Sequence, residues 1–94
     1  MTALVAVRDT PLDLGEALAA VGADHVGGVA VFLGTVRNHN DGRAVTLLEY
    51  HAYESMAERQ MRKIVDGIAA EIPGVRLAAL HRVGELRVGD VAVI

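Results

Sequence analysis

The sequence VAVFLGTV, residues 29–36, is the feature that most limits how this chain can fold. Its β-branched and aliphatic residues favour an extended conformation, and such a β-branched run is typical of a strand buried on both faces. Gly27 and Gly28 precede the run, and Asp41-Gly42 follows it as a strong signal for a tight turn. The sequence AVTLLEYHAY, residues 44–53, is therefore predicted to return as the hairpin partner of this strand.

Two helices are predicted outside this hairpin. Asp13 and Glu16 have the spacing of a capping box, which predicts a helix that continues through about Val21. Between about Glu54 and Ile72, apolar residues recur at steps of three and four, which predicts an amphipathic helix that Pro73-Gly74 ends. Its apolar stripe is predicted to consist of Ala57, Met61, Ile64, Val65, Ile68 and Ile72.

The order of the elements indicates an α+β fold. Residues 75–94 are predicted to form a strand, a polar turn and the start of a further strand. This order is not a regular βαβ repeat, so we expect a single domain over residues 1–94 with two main helices. The chain ends at Ile94 within an apolar run, whereas natural termini usually lie in water. We therefore expect a shortened form of a longer protein.

Composition excludes several classes of function. The formal net charge of -3 argues against a protein that coats nucleic acid or an anionic membrane. There is no cysteine, which excludes disulfides, thiolate metal sites and a persulfide on this chain. His25 and His51 are scattered and lack the spacing of a zinc motif, so no metal site is predicted. We expect a cytoplasmic protein, because the sequence has neither a signal pattern nor an apolar run of spanning length.

The loop RNHNDGR, residues 37–43, is the best candidate for a binding site. Arg37 and Arg43 supply fixed cations, Asn38 and Asn40 can donate and accept hydrogen bonds, and His39 can change charge near neutral pH. Arg37 is the strongest candidate, because a guanidinium binds phosphate or carboxylate through two parallel hydrogen bonds. Asn, Asp and Gly are also ordinary turn residues, so a polar hairpin tip remains the commoner interpretation of these residues alone.

The remaining polar residues do not complete a catalytic set. His81 alternates with apolar residues on a predicted strand, which favours a core histidine with a satisfied hydrogen bond. Ser55 lacks the context of a catalytic nucleophile. The charged residues of the long helix, including Lys63, are predicted to form a solvated outer face.

Several motifs occur together in an order that resembles one protein family. They are VRNHN at residues 36–40, LEY at residues 48–50, HRVGEL at residues 81–86 and VGD at residues 88–90. In this order they resemble the large, catalytic subunit of molybdopterin synthase. The resemblance covers nearly the whole chain and implies an α/β hammerhead-like domain with a mixed or antiparallel sheet, of which residues 1–94 would be the N-terminal two-thirds.

The resemblance also implies an activity. Members of the family are sulfurtransferases of molybdenum cofactor biosynthesis, which convert cyclic pyranopterin monophosphate (precursor Z) into molybdopterin by inserting dithiolene sulfurs. No tightly bound cofactor is implied, since the sulfur arrives as a thiocarboxylate on the C-terminal Gly-Gly of a small ubiquitin-like sulfur-carrier subunit. A homodimer within a heterotetramer is implied as well. The alternative is a non-catalytic binding or dimerisation module that retains the substrate or carrier-subunit interface.

The substrate-binding stretch of the family falls on Thr35, Val36 and Arg37, where Arg37 is placed to hold the anionic substrate. Thr35 stands where many members have lysine. Phe32 and His39 are further candidates for the lining of the same pocket.

The resemblance assigns no catalytic residue within this sequence. The catalytic lysines of the family follow the last strand, and Lys63 matches neither of them. We therefore expect the catalytic residues beyond Ile94. Because arginine does not readily lose its proton, it cannot replace such a lysine, and we expect these 94 residues alone not to complete the reaction.

Overall fold

The computed structural model describes residues 2–40, 43–44, 47–50 and 54–94. In chain order, the elements are β1 (Thr2–Arg8), α1 (Leu14–Val21), β2 (Gly34–Thr35), β3 (His39–Asn40), β4 (Arg43–Ala44), β5 (Leu47–Tyr50), α2 (Glu54–Glu71), β6 (Leu77–Arg82), β7 (Gly84–Arg87) and β8 (Val91–Val93).

A mixed sheet carries both helices, which confirms the predicted α+β class. Its strand order is β1-β6-β8-β2, with β1 parallel to β6 and the other neighbours antiparallel. Two short antiparallel pairs, β3 with β4 and β5 with β7, complete the described strands. Both α1 and α2 pack against β1 and β6. The two strands predicted after Pro73 are confirmed as β6 and β8, but the polar residues between them, predicted as a turn, form the strand β7 as well as a turn.

The first helix begins as predicted, but its second capping bond is different. Asp13 is the N-cap, and its side chain accepts a hydrogen bond from the Gly15 N–H at 2.9 Å. Glu16 does not complete the capping box, because its carboxylate accepts two hydrogen bonds from the Arg8 guanidinium on β1, one of them 2.8 Å long. The hydrogen bond from Arg8 lowers the pKa of Glu16. The pair therefore ties α1 to β1.

The predicted strand over residues 29–36 is wrong in both extent and burial. Only Gly34–Thr35 forms a strand, paired with β8, and the apolar side chains before it are exposed. Residues 26–33 have no ladder partner among the described residues, and a strand cannot form without one. The exposed side chains are Val29, Val31, Phe32 and Leu33.

A hairpin is present at the predicted turn, but it joins different strands from those predicted. Asn40 lies opposite Arg43, so β3 and β4 are joined by two residues, as the turn signal predicts. The turn residues Asp41-Gly42 themselves lie outside the described residues. The later strand, Leu47–Tyr50, pairs with β7 and not with the 29–36 segment. Local turn chemistry therefore predicts the reversal but not the partner of the returning strand.

The long helix is confirmed, but its apolar stripe is wider than the surface that covers it. Val65 is buried, while Ala57 and Met61 are half-buried. Three isoleucines of the predicted stripe are exposed: Ile64, Ile68 and Ile72. The sheet covers the Val65 side of α2, since β1 is its main neighbour, so the isoleucines on the other edge of the stripe face solvent. Arg62 forms an ion pair with Glu58 at 3.4 Å, but it also donates to the Val5 carbonyl on β1 at 3.4 Å, so this pair borders the sheet and does not belong to the predicted outer face.

The core of the described residues is aliphatic. Its buried members are Val5, Ala17, Val36, Val65, Leu80, Val83, Leu86 and Ala92. Val36, Leu86 and Ala92 form one cluster, with Val93 packed against it. This cluster lies directly behind the end of β2 and supports the segment that leads to the predicted binding residues.

Candidate functional site

The candidate site is built at the end of β2. Thr35 is exposed and pairs with Val91, Val36 is 5% exposed, and Arg37 is exposed again. This alternation is what extended backbone produces, since successive side chains point to opposite sides. Because the Val36 side chain is buried in the core, the side chains of Thr35 and Arg37 point to the opposite side.

Backbone hydrogen bonds hold the same position. The Val36 N–H donates to the Asp90 carbonyl oxygen at 3.0 Å, and the Val36 carbonyl accepts from the Gly89 N–H at 2.8 Å. Both polar groups of this buried residue are thus satisfied by the turn between β7 and β8. Arg37 follows immediately, so its Cα is attached to a residue fixed by packing and by two hydrogen bonds.

The Arg37 guanidinium has the properties of an anion-binding group. It is exposed, and no carboxylate of the described part of the chain forms an ion pair with it. Four other arginines are paired in this way: Arg8, Arg62, Arg82 and Arg87. An exposed guanidinium on a fixed backbone can offer two parallel donors to a phosphate or carboxylate.

The other predicted pocket residues are placed less completely. Phe32 is 73% exposed, and its ring lies beside Gly34: a Cβ built on that glycine would be 3.5 Å from the Phe32 ring. The backbone of His39 pairs with that of Ala44, while its side chain lies outside the described residues. Thr35, Val36 and Arg37 are consecutive, and the structure exposes the side chains of Thr35 and Arg37 while it buries that of Val36.

The turn that supports this segment lies within the polar turn predicted for residues 75–94, but its contact with the end of β2 was not predicted. It runs from Arg87 to Asp90, and it is closed by the Asp90 N–H donating to the Arg87 carbonyl at 3.0 Å. The Asp90 carboxylate in return accepts from the Arg87 N–H at 2.9 Å and from the Arg82 guanidinium at 3.4 Å. Gly89 has φ of +91°, the left-handed conformation that glycine favours at the third position of a type II turn. The VGD motif was the available signal, but sequence alone did not assign it a role.

A second concave feature lies away from Arg37. An open groove of about 440 Å³ runs between α1, residues 25–32 and residues 74–78. Its walls are mainly apolar, with Arg76 and His25 among the lining residues. The Arg76 guanidinium already donates to the Ala20 carbonyl at 2.8 Å, near the end of α1. Thr35, Val36 and Arg37 do not line this groove, whereas Phe32 does, so the groove and the predicted site share one residue.

The described residues offer no gathered set of metal ligands, since no three His, Asp or Glu side chains of this part converge. His81 is half-buried on β6, and its Nδ1–H donates to the Ala92 carbonyl at 3.0 Å. The hydrogen bond expected for His81 is thus present, although the side chain is half-buried and not in the core. Lys63 is exposed on α2, on the predicted solvated face.

Neither helix of the described residues is long and apolar enough to cross a membrane.

Comparisons with known proteins agree on one family. The family model described as MoaE protein matches residues 7–94. Molybdopterin synthase catalytic subunit 1 of Mycobacterium tuberculosis is 45% identical over 88 residues, which are 94% of this chain and 60% of that protein. Molybdopterin synthase catalytic subunit of Pyrococcus abyssi is 39% identical over 82 residues, covering 87% of this chain and 55% of that protein.

Solved structures give the same result. The crystal structure of molybdopterin synthase from Staphylococcus aureus superposes with a TM-score of 0.89 at 32% identity, and covers 95% of this chain and 65% of that chain. A molybdopterin cofactor biosynthesis protein E from Burkholderia multivorans superposes with a TM-score of 0.83 at 36% identity. The chain spans only 60% and 55% of the length of the two curated relatives described above.

Proposed function

The chain belongs to the MoaE protein family, and on that premise we propose that it acts as the large, catalytic subunit of molybdopterin synthase. The substrate is cyclic pyranopterin monophosphate (precursor Z), which is converted to molybdopterin by insertion of dithiolene sulfurs. The observation that carries the proposal is the family match over residues 7–94, supported by relatives that bear this name. The chain itself is expected to hold no tightly bound cofactor.

Arg37 is the proposed anchor for the phosphate of the substrate. Its exposure and its lack of an ion pair with the described carboxylates support this role. The formal net charge of -3 provides no overall attraction for an anion, so capture must depend on a local cation. Thr35 and Val36 belong to the same stretch, the first offering a hydroxyl and the second fixing the backbone.

Phe32 and His39 complete the proposed pocket. The exposed ring of Phe32 lies beside Gly34, close to the start of the binding stretch, and could cover one face of a pterin ring. His39 follows Arg37 by two residues, at the start of β3. The catalytic amine is not assigned to this chain: Lys63 lies on the exposed face of α2, and we expect the amine beyond Ile94.

The proposed partners are a second copy of the chain and a small ubiquitin-like sulfur-carrier subunit, whose C-terminal Gly-Gly thiocarboxylate supplies the sulfur. Together they would form a heterotetramer around a central homodimer, in the cytoplasm. The contiguous exposed apolar residues Val29, Val31, Phe32 and Leu33 support a protein contact on this part of the surface. Light scattering on size-exclusion chromatography tests the dimer: Val31→Lys is expected to raise the monomer fraction, and a wild-type monomer would contradict the proposal.

The alternative is a non-catalytic binding or dimerisation module that keeps the substrate or carrier-subunit interface. The names of the relatives favour the enzyme. The two functions differ in one measurement, which is the formation of molybdopterin from precursor Z and thiocarboxylated small subunit. Substrate binding without any product, in the presence of the segment that the longer relatives contain, would favour the module.

Isothermal titration with precursor Z tests the site itself. Arg37→Ala removes a charged bidentate donor, so affinity is expected to fall roughly 10- to 150-fold, which corresponds to about 1.5 to 3 kcal/mol. Arg59→Ala is the matched control, because Arg59 is also exposed but lies on α2. Equal affinities for the wild type and Arg37→Ala would remove Arg37 from the site.

A further inference from the structure

The turn from Arg87 to Asp90 is connected to the proposed substrate anchor by backbone hydrogen bonds. The carbonyl of Asp90 and the N–H of Gly89 satisfy both polar groups of Val36, at 3.0 and 2.8 Å. Val36 directly precedes Arg37. A shift of this turn must therefore move the backbone that carries the Arg37 side chain, or break these two bonds.

The Asp90 carboxylate fixes the shape of that turn. It accepts from the Arg87 N–H at 2.9 Å, while the Asp90 N–H donates back to the Arg87 carbonyl at 3.0 Å. The same oxygen, Oδ2, accepts from the Arg82 guanidinium at 3.4 Å. The Arg82 side chain is only 16% exposed, and its Nε–H is buried without a partner among the described residues. Asp90 is thus joined both to the turn and to a mostly buried cation on β6.

We propose that Asp90 is a positioning residue for Arg37. Through the turn that it closes, its carboxylate holds the end of β2 so that the Arg37 guanidinium meets the phosphate of the substrate in one orientation. The inference rests on the proposed function, since it needs Arg37 to bind substrate. A bidentate contact depends on angle as well as distance, and small displacements of a positioned group cost much of its effect.

A double-mutant cycle separates positioning from general stability. Precursor Z affinity is measured by isothermal titration for the wild type, Asp90→Ala, Arg37→Ala and the double variant, at a temperature where circular dichroism shows each to be folded. Asp90→Ala is expected to weaken binding about tenfold in the wild type and less than about twofold in the Arg37→Ala background, since the two act as one unit. Equal weakening in both backgrounds, or none in the wild type, overturns the inference.

Conservative and matched variants serve as controls for the affinity measured with Asp90→Ala. Asp90→Asn keeps a side-chain oxygen that can accept from the Arg87 N–H, so it is expected to bind within about twofold of the wild type. Glu85→Ala removes an exposed carboxylate from the same hairpin, where it lies 3.9 Å from Arg87, and is expected to leave affinity unchanged. If Asp90→Ala does not fold, Gly89→Ala replaces it in the cycle, because φ of +91° makes alanine strain the same turn. A loss of affinity in Glu85→Ala equal to that in Asp90→Ala overturns the inference.

The failure of the proposed function has a different signature. If Arg37→Ala binds precursor Z as the wild type does, the substrate assignment fails whatever Asp90 does.

The role of the turn can also be measured without a ligand, by amide hydrogen exchange at Val36. Asp90→Ala is expected to accelerate this exchange about tenfold relative to Glu85→Ala, because the Val36 N–H donates to the turn. Equal exchange rates in the two variants overturn the inference.

Discussion

Replacement of Leu86 by alanine tests whether the cluster behind β2 stabilises the fold. Leu86 is 0% exposed and packs in one cluster with Val36 and Ala92. Leu→Ala at a fully buried position removes the transfer free energy of the side chain and leaves a cavity, so the free energy of unfolding should fall by about 3 to 4 kcal/mol. A domain of 94 residues has a total stability on the order of 5 to 14 kcal/mol, so this loss is a large fraction.

Urea denaturation followed by far-UV circular dichroism measures this loss. With an m-value of about 1.5 kcal/mol/M, the midpoint should fall by about 2 to 2.7 M. Leu18→Ala is the matched control: Leu18 is 41% exposed on α1, and its replacement should cost less than about 1 kcal/mol. Midpoints that fall equally in the two variants would refute the assignment of Leu86 to the core.

Two further predictions concern the helices and turns. The pKa of Glu16 is lowered by Arg8, so the stability from this pair is present above the unfolded pKa of about 4.3 and is lost as pH falls through the folded value. In thermal unfolding, Glu16→Gln should therefore be less stable than the wild type at pH 7 but approach its stability at pH 3. An equal difference in stability at both pH values would contradict this. Gly84→Ala should lower the free energy of unfolding by about 1 to 2 kcal/mol because φ of Gly84 is +93°. Gly67→Ala, in α2 with open space around its Cβ position, should raise the free energy of unfolding by about 0.5 to 1 kcal/mol. Urea midpoints that shift in the same direction in the two variants would count against this backbone argument.

Local signals in the sequence were sufficient for much of the fold. The N-cap at Asp13 and the helix predicted from the apolar period of residues 54–72 each depend on neighbouring residues, and both the cap and the helix are confirmed. Asp41-Gly42 correctly predicts a two-residue connection, since Asn40 lies opposite Arg43. Each of these features is determined by side chains within a few positions of one another, which a sequence displays directly.

Burial and strand partners could not be predicted in the same way. The apolar run from Val29 to Leu33 has strand propensity, but only a neighbouring element can cover it, and the described residues leave it exposed. The same reason applies to Ile64, whose stripe on α2 is wider than the sheet surface beneath it; its side chain is 62% exposed. β-propensity describes what fits a half-buried surface, and it does not specify which surface is present.

The same distinction between local and long-range features applies to the residues of the candidate site. Arg37 could be chosen as a candidate because it follows an apolar run and carries a chemistry that stands out in the sequence. Asp90 could not be chosen, because the role that we propose for it depends on contacts between the β7–β8 turn and the distant end of β2. The VGD motif entered the sequence analysis only as part of the family resemblance, and only the fold shows that its residues form a turn against Val36.

Solution NMR of the arginine Nε–Hε signals during a titration with precursor Z tests the central claim most directly. The account predicts that the Arg37 signal, assigned by its loss in Arg37→Lys, shifts with the saturation of binding while the Arg59 signal stays in place. Arg76 reports on the apolar groove that it lines, and its signal should also stay in place. A titration that moves the Arg76 signal and leaves the Arg37 signal unchanged would place the substrate in the groove and contradict the account.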